Sequence, residues 1–470
     1  MKFGGSSVEN SNRMRQVADL VIAARAQQPC VVLSAMGKTT DALFAAARLA
    51  HDGRVDEAMA TVADIFERAT IAANELFGLH GAIAGPCLAE LATMRDQLEV
   101  LLRGVTLLRE LTPRTSDAIV THGERIATTV FAAVLRHRGV AVAPHDARLV
   151  LRTDDRFGGA TPQRAAIRTL AAEHLRPSLA KGEVVVTQGY VGATAQGYTT
   201  TLGRGGSDWS AALLGEALDA TEVQIWTDVE GVLTADPRIV PSARPIASLS
   251  PAEAAELAAF GAKVLHPATI QPAVDAGIPV TVRHTQRPHG AFTTIDPRHH
   301  ATSRGGIAAL AARGPITVLT MTSTRMLAAS GYLARLFAAF GELGICVDIV
   351  ATAEVSVACT VEPDAPIERL VEALNGLARV EVAPDRAIVA AVGEGLRGSH
   401  DALARACRAI QPIRPEVVSF GGNSRNLSFV VRHEEMAMAM QKLHAEFFGE
   451  VRPVRNDATT AQTKSAEESQ

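Results

Sequence analysis

Three times in this chain a short apolar run ends in a turn of small residues and gives way to a helical pattern. The turns are Lys2-Phe3-Gly4-Gly5-Ser6-Ser7-Val8, Ser34-Ala35-Met36-Gly37-Lys38-Thr39-Thr40-Asp41 and Thr199-Thr200-Thr201-Leu202-Gly203-Arg204-Gly205-Gly206-Ser207-Asp208. Strand, glycine turn and helix, repeated, is the unit of parallel sheets covered by helices. Such sheets bind ligands beyond the carboxyl ends of their strands. The third stretch says most. A helix is predicted over Trp209–Ala217, capped by Ser207 or Asp208, and its free N–H groups and dipole favour an anion. Arg204 adds a guanidinium that can hold a carboxylate or phosphate through two hydrogen bonds.

At 470 residues the chain is too long for one core, so two or three domains are expected. Strands are predicted at Cys30–Leu33, Ile119–Thr121, Val140–Ala143, Glu183–Thr187 and Val223–Trp226, and Pro279–Val282 reads as the last strand of the first domain. Residues 9–27 read as a helix. Asp41 to Glu110 carries apolar residues three and four apart and reads as a helical excursion over the sheet. Arg125–Arg138 and residues 251–260 also read as helices, and residues 295–306 have linker composition. An internal repeat follows. Leu333-Ala334-Arg335 recurs at Leu403-Ala404-Arg405, and Ser356–Val361 matches Asn426–Val431, both at an offset of 70. Two small α/β modules side by side are implied. Asp457–Gln470 is polar and aperiodic and is expected to be disordered.

Forty-six basic against 50 acidic side chains give a net charge of −4, which argues against nucleic acid as a partner. No run reads as long enough to span a bilayer, and residues 1–10 do not read as a signal peptide. The five cysteines are scattered without metal-ligand spacing, as expected of a reduced cytoplasmic protein. No GxxxxGK[ST] loop is present. Gly393-Glu394-Gly395-Leu396-Arg397-Gly398 matches GxGxxG, but it lies inside the second repeat with too little chain after it for a dinucleotide-binding sheet.

What remains is an inventory of cations (Lys2, Arg204, Lys263) and carboxylates (Glu124, Asp208, Asp228) at predicted strand ends beside small-residue turns. Each alone has an ordinary explanation as a surface lysine, a turn aspartate or a helix-start carboxylate. Together they suit phosphoryl transfer, in which N–H groups and lysines meet the charge on the moving phosphoryl.

KFGGSSV, SAMGKTTD, HGE, TDDRFG, QGY, TTTLGRGGSDWSAALL, WTDVEGV, ADPR and FGAKVLHP resemble, in order and spacing, the aspartate kinase family. The resemblance covers the chain to about residue 450 and implies an α/β fold: an amino-acid-kinase-like, parallel-rich sheet sandwiched by helices, then two ferredoxin-like ACT modules. The implied division is 1–298 catalytic, 299–315 linker and crossover strand, 316–385 and 386–454 the two ACT modules, and 455–470 a tail. The implied reaction is attack of the L-aspartate side-chain carboxylate on the γ-phosphate of ATP, with Mg²⁺ carried by the phosphates, as the first step towards lysine, threonine and methionine. Lys2 and Asp208 are the implied catalytic residues. Thr40, Glu124, Tyr190, Arg204, Gly205, Gly206 and Ser207 would bind substrate, with Arg204 on its α-carboxylate and Glu124 on its ammonium. Lys2, Gly4, Gly5, Ser34, Thr227, Asp228, Leu233, Arg238, Lys263 and Val264 would hold ATP. Met326, Gly331, Tyr332, Leu333, Asp348, Thr352 and Glu354 fall where the family binds a regulatory amino acid, lysine or threonine. A homodimer through the ACT modules is implied, with Ile307–Ala312 crossing to the second module.

The sequence departs from the family at three places. Only Met1 precedes Lys2, Leu233 stands where many relatives have tyrosine, and Ala329 and Ala353 stand where lysine-sensitive relatives have serine. Two other readings stay open: a related carboxylate kinase acting on a glutamate derivative, and a catalytically impaired amino-acid sensor.

Overall fold

The computed structural model describes residues 1–78, 83–261, 265–298, 306–399 and 401–449. Lys263 and Val264, most of the linker and the tail from residue 450 lie outside the described residues.

Among the described residues ten strands precede residue 300: β1 Lys2–Phe3, β2 Cys30–Leu33, β3 Val142–His145, β4 Val184–Gln188, β5 Val191–Ala193, β6 Thr199–Thr201, β7 Val223–Thr227, β8 Ser248–Leu249, β9 Val280–His284 and β10 Thr293–Ile295. Eight of them form one sheet in the order β3-β4-β2-β1-β7-β9-β10-β8, parallel except where β10 meets β9. β5 and β6 pair as a separate hairpin. The strand expected to be last, β9, is therefore followed by β10, which β8 flanks. β1 has only two residues yet sits centrally, Lys2 opposite both Val32 and Ile225. Phe3 is fully buried and stacks on Trp226 with ring centroids 5.9 Å apart.

Around this sheet lie α1 Ser11–Ala23, α2 Thr39–His51, α3 Val55–Phe77, α4 Ala84–Leu108, α5 Pro113–Val120, α6 His122–His137, α7 Arg164–His174, α8 Arg176–Ala180, α9 Gly206–Leu218, α10 Pro251–Ala259 and α11 Pro267–Asp275. The helix expected over 9–27 is shorter, because Asn10 caps it by accepting from Arg13 N and a 3₁₀ turn replaces its end. The strand expected at Ile119–Thr121 is helical. Thr112 caps α5 by accepting from Thr115 N at 3.1 Å, and Pro113 supplies a preset first turn. Ile119 and Val120 are apolar because they face the core, not because they extend. The segment Pro113–His137 is long and apolar enough to cross a membrane, but 83 % of its most apolar stretch is buried inside the fold, as befits a core element.

The second sheet holds β11 Ala309–Thr322, β12 Val350–Thr352, β13 Ser356–Val361, β14 Arg379–Val392, β15 Val417–Phe420 and β16 Asn426–Arg432, in the order β12-β13-β11-β14-β16-β15. All its pairs are antiparallel. α12 Tyr332–Glu342, α13 Ile367–Ala373, α14 Ala402–Ala409 and α15 Met436–Phe448 cover it. The 70-residue offset maps α12 on α14 and β13 on β16. The two repeats share one sheet, since β11 and β14 run together from Ala309↔Val392 to Thr322↔Arg379. Each long strand thus crosses a boundary drawn between separate modules, at 315/316 and at 385/386. Ala309–Ala312 pair with Val389–Val392, in the second repeat.

The GxGxxG stretch is a docking loop. Glu394 N donates to Glu253 Oε1 at 2.9 Å and Glu394 Oε1 accepts from Ser250 Oγ at 2.9 Å. Ser250 and Glu253 are the two halves of the α10 capping box. Glu256 on the same helix accepts from Asn423 at 2.5 Å and Asn426 at 2.8 Å. Thr234 and His444 add a buried contact of 2.9 Å between the two sheets' layers.

Candidate active site

The three small-residue turns meet at the carboxyl ends of β1 and β2 and the start of α9. Gly4 N donates to Trp226 O at 3.2 Å, Ser34 N to Phe3 O at 3.1 Å, and Gly37 N to Gly5 O at 3.0 Å. A Cβ on Gly5 would lie 2.8 Å from both Ala35 O and Gly37 O, so only glycine lets the first two turns pack.

The third turn leads into α9 without the expected side-chain cap. Gly205 is the N-cap, with φ 72°, and neither Ser207 nor Asp208 bonds a cap N–H. Both sit inside the first turn. A left-handed N-cap turns the chain sharply: Gly206 N donates to Gly203 O at 3.0 Å and Asp208 N to Gly205 O at 3.0 Å, which leaves the N–H groups of Gly205 and Ser207 without a partner among the described residues. Lys2 Nζ lies 2.7 Å from Asp208 Oδ1, an ion pair out of line for a hydrogen bond. Arg204 is exposed and has no hydrogen-bond or ion-pair partner among the described residues.

Glu124 comes from the first turn of α6, not from a strand end as the sequence suggested. It is 3 % exposed. Oε1 accepts weakly from Ala35 N at 3.4 Å, Thr40 donates to the carboxyl, and Oε2 has no partner. Burial pushes its pKa up to about 8, against which those bonds are too few. Tyr190 packs nearby in a left-handed conformation, φ 67°, held by Ser210 Oγ, which accepts from Tyr190 N at 2.9 Å and donates to Gly206 O at 2.9 Å. Burial raises the tyrosine pKa, with Glu124 and Asp117 as charged neighbours. The expected substrate residues Thr40, Glu124, Tyr190, Arg204, Gly205, Gly206 and Ser207 thus come from the α2 start, the α6 start, the β4–β5 turn and the α9 start.

The expected nucleotide residues are more spread. Gly4, Gly5 and Ser34 belong to the shared turns. Thr227 and Asp228 end β7, with Thr227 Oγ1 donating to Asp228 at 3.1 Å. Leu233 bridges to Pro245 in the following loop. Arg238 is 82 % exposed and pairs with Asp236 at 2.6 Å. Among the described residues no three His, Cys, Asp or Glu side chains converge as a metal site would require.

In the second sheet, Met326, Gly331, Leu333, Thr352 and Glu354 lie at the α12 start and along β12, with Leu333, Thr352 and Glu354 exposed. Two expected effector contacts are already committed. Tyr332 is 3 % exposed and its hydroxyl donates to Leu377 O at 2.5 Å, so the ring belongs to the core. Asp348 pairs with Arg313.

Three buried polar residues were given no role in the sequence reading, although His122 and Gln188 lie in its HGE and QGY motifs. Asp117 accepts from Thr201 Oγ1 at 2.8 Å, Thr201 N at 3.1 Å and Gly158 N at 2.9 Å. Gln188 joins Thr128 and Ala147 N, each at 2.8 Å. His122 donates from Nδ1 to the Ala118 and Ile119 carbonyls, and burial lowers its pKa to about 4. The helical spacing of Asp117 and Glu124, two turns apart, was a usable signal, hidden by reading the segment as a strand.

Residues 1–284 match the amino acid kinase family and residues 389–447 an ACT domain. Over 460 residues the chain is 38 % identical to lysine-sensitive aspartokinase 3 of Escherichia coli (strain K12), covering 95 % of this chain and 98 % of that one. The chain belongs to the aspartokinase family. Chloroplastic aspartokinase 1 of Arabidopsis thaliana is 36 % identical over 461 residues, covering 95 % of this chain and 80 % of its own length. Among solved structures, E. coli aspartokinase III in complex with aspartate and ADP, described as the R-state, superposes with a TM-score of 0.78 at 38 % identity, covering 95 % of this chain and 99 % of that chain. The same enzyme with lysine and aspartate, the T-state, gives 0.79 at 37 %, covering 95 % and 98 %.

Proposed function

We propose that the junction of β1, β2, α6 and α9 carries out the aspartokinase reaction. The chain phosphorylates the side-chain carboxylate of L-aspartate with ATP, giving 4-phospho-L-aspartate and ADP. The observation that carries the assignment is Lys2 held at the N-terminus of α9 by Asp208, with Arg204, unpartnered among the described residues, four residues earlier in the chain.

In this reading Arg204 takes the α-carboxylate of aspartate and the unpaired Oε2 of Glu124 takes its ammonium, with Thr40, Tyr190 and Ser207 closing the pocket. The β-carboxylate then faces Lys2 and the N–H groups of Gly205 and Ser207. It is already ionised at neutral pH and needs no base. Its oxygen bonds to the γ-phosphorus as the bond to the bridging oxygen breaks and ADP leaves. Lys2 and the N–H groups meet the charge that develops on the phosphoryl oxygens. Gly4, Gly5, Ser34, Thr227, Asp228, Leu233, Arg238, Lys263 and Val264 contact the nucleotide. Mg²⁺ rides on the phosphates, since it keeps most of its waters and needs few protein ligands. Lys2→Ala tests the centre: aspartate-dependent ADP release should fall at least about 100-fold with the fold intact. Undiminished turnover would refute it, as would turnover of N-acetylglutamate in place of aspartate.

The second sheet serves as the regulatory unit of a homodimer. Val350 on β12, 43 % exposed, supports a surface for a second copy. A regulatory amino acid binds around Met326, Gly331, Leu333, Thr352 and Glu354, and lysine is the first ligand to try because the E. coli relative is lysine-sensitive.

A further inference from the structure

Asp117 lies on α5, is a charged neighbour of Tyr190, hydrogen-bonds none of the side chains assigned to substrate, and is 2 % exposed. Its side chain leaves the helix to meet two other segments. Oδ1 accepts from Thr201 Oγ1, and Oδ2 accepts from both Thr201 N and Gly158 N. Thr201 ends β6, three residues before Arg204. Gly158 lies in the Asp154–Gly159 loop, which Asp154 closes on itself by accepting from Arg156 N at 3.2 Å and Thr161 N at 2.8 Å. Ala160 N donates to Thr201 O at 2.8 Å, so loop and strand are already joined behind Asp117. On its own side, Asp117 O accepts from Thr121 N at 3.3 Å and the chain continues directly into α6. Glu124 follows seven residues after Asp117, about 10 Å along a helix axis.

We propose that Asp117 is a positioning residue that sets the spacing of the aspartate pocket, by fixing the helix that carries Glu124 against the strand that delivers Arg204. The inference rests on reading Glu124 and Arg204 as the two ligands of the substrate's backbone groups. A buried carboxylate is costly, and surface residues could hold a hairpin more cheaply. Its position explains the cost: three bonds from one rigid group leave helix and strand no freedom to slide. Arg114, one turn earlier on α5, adds a second grip by stacking over Tyr198 of the same hairpin, 3.9 Å from the ring centroid. Other contacts tether the hairpin to the segment before α7, such as Thr153 Oγ1 to Thr200 Oγ1 at 2.7 Å. Asp117 ties it to the Glu124 helix.

The test is a KM-against-kcat comparison in the full-length protein. Asp117→Ala should raise the aspartate KM about 10- to 100-fold while the ATP KM stays within about twofold, because bonds to a charged group are lost on one side of the centre only. Asp117→Asn should restore most of the affinity, since its amide oxygen can accept from both N–H groups and its NH₂ can donate to Thr201 Oγ1. Thr201→Val removes one bond of the three and should raise the aspartate KM a few fold, which keeps the test alive where the alanine variant fails to fold. Equal rises in both KM values, or an asparagine variant no better than alanine, would overturn the proposal. Arg204→Ala and Glu124→Gln are measured alongside. Where these leave the aspartate KM unchanged, the reading of the pocket fails. Where they raise it and the Asp117 and Thr201 variants do not, the positioning role alone fails.

Discussion

Glu124 makes the strongest demand on experiment, because burial and function pull its charge in opposite directions. In the ligand-free protein it has one long bond from Ala35 N, one from Thr40 and an empty Oε2, and its pKa is pushed up to about 8. At pH 7 it is therefore about nine-tenths protonated. A protonated carboxyl is a poor ligand for an ammonium group, so aspartate must bind the ionised form and expel the proton. Binding at pH 7 should release about 0.9 proton, and affinity should rise close to tenfold per pH unit until the pH reaches about 8. From pH 6 to pH 8 the ionised fraction rises about 50-fold, and aspartate affinity should follow it. Calorimetry at pH 7 in two buffers of different ionisation enthalpy measures the proton count directly, and aspartate KM at pH 6, 7 and 8 measures the slope. Glu124→Gln should bind aspartate weakly, with neither proton release nor slope. An affinity flat with pH, and a heat of binding that ignores the buffer, would refute the reasoning.

The same group leaves a mark on stability. A raised carboxyl pKa means the folded state holds its proton longer, so its contribution is full below about pH 4.5 and is lost as pH rises through about 8. His122 works the other way. Its pKa is lowered to about 4, so its contribution is full above about 6.5 and is lost as pH falls towards 4. Between pH 4.5 and 6.5 the two slopes oppose and nearly cancel. From 6.5 to 8 the contribution of Glu124 itself to ligand-free stability should fall by about 2 kcal/mol. Urea melts of Glu124→Gln should lack that fall.

Further outcomes follow from single positions. Gly205→Ala forces a side chain into a left-handed N-cap and sets its Cβ 2.9 Å from Thr269 Cγ2, so it should lose about 1–3 kcal/mol and most turnover; wild-type melting and kcat would contradict the left-handed cap. Phe131→Ala empties a fully buried site on α6 and should cost about 3–5 kcal/mol in denaturant titration. Restoring serine at Ala329 and Ala353 should tighten lysine binding by about tenfold or more in calorimetry, as two hydroxyl bonds of about 1 kcal/mol each would do.

The parallel sheet was readable because strand, small-residue turn and helix are contiguous in Lys2–Ala23 and in Cys30–His51, and the hairpin strand β6 is followed in the same way by a turn and α9 in Thr199–Leu218. The site was readable in part for the same reason, since Lys2, Arg204 and Asp208 all belong to those turns. What was lost depends on distance in sequence. Ile119-Val120-Thr121 is apolar and β-branched, and a local reading makes it a strand. Only the Thr112–Pro113 start and the surrounding core make it a helix. That one error hid Asp117, whose partners lie 41 and 84 residues away. Gln188 was passed over for a like reason, its bond to Thr128 spanning 60 residues. The fusion of the repeats into one sheet was equally invisible, because a repeat reports the similarity of two units and not which strands they share.

The GxGxxG stretch shows the same limit from the opposite side. Its glycines do what such glycines do anywhere, making a tight turn with Gly395 at φ 78°. Rejecting it as a nucleotide site needed only its place in the repeat. Its actual use depends on α10, some 140 residues earlier, where Ser250, Glu253 and Glu256 receive Glu394, Asn423 and Asn426. α10 also packs against α11, whose Thr269 lies beside Gly205 at the start of α9, so the helix gripped by the second sheet reaches the candidate site. A change in the second sheet that moves the Glu394 loop must either move α10 or break hydrogen bonds to two carboxylates, and moving a short helix is the cheaper course. Regulation of a phosphoryl-transfer centre from a separate sheet then requires no long chain of side chains, only one capped helix shared by both.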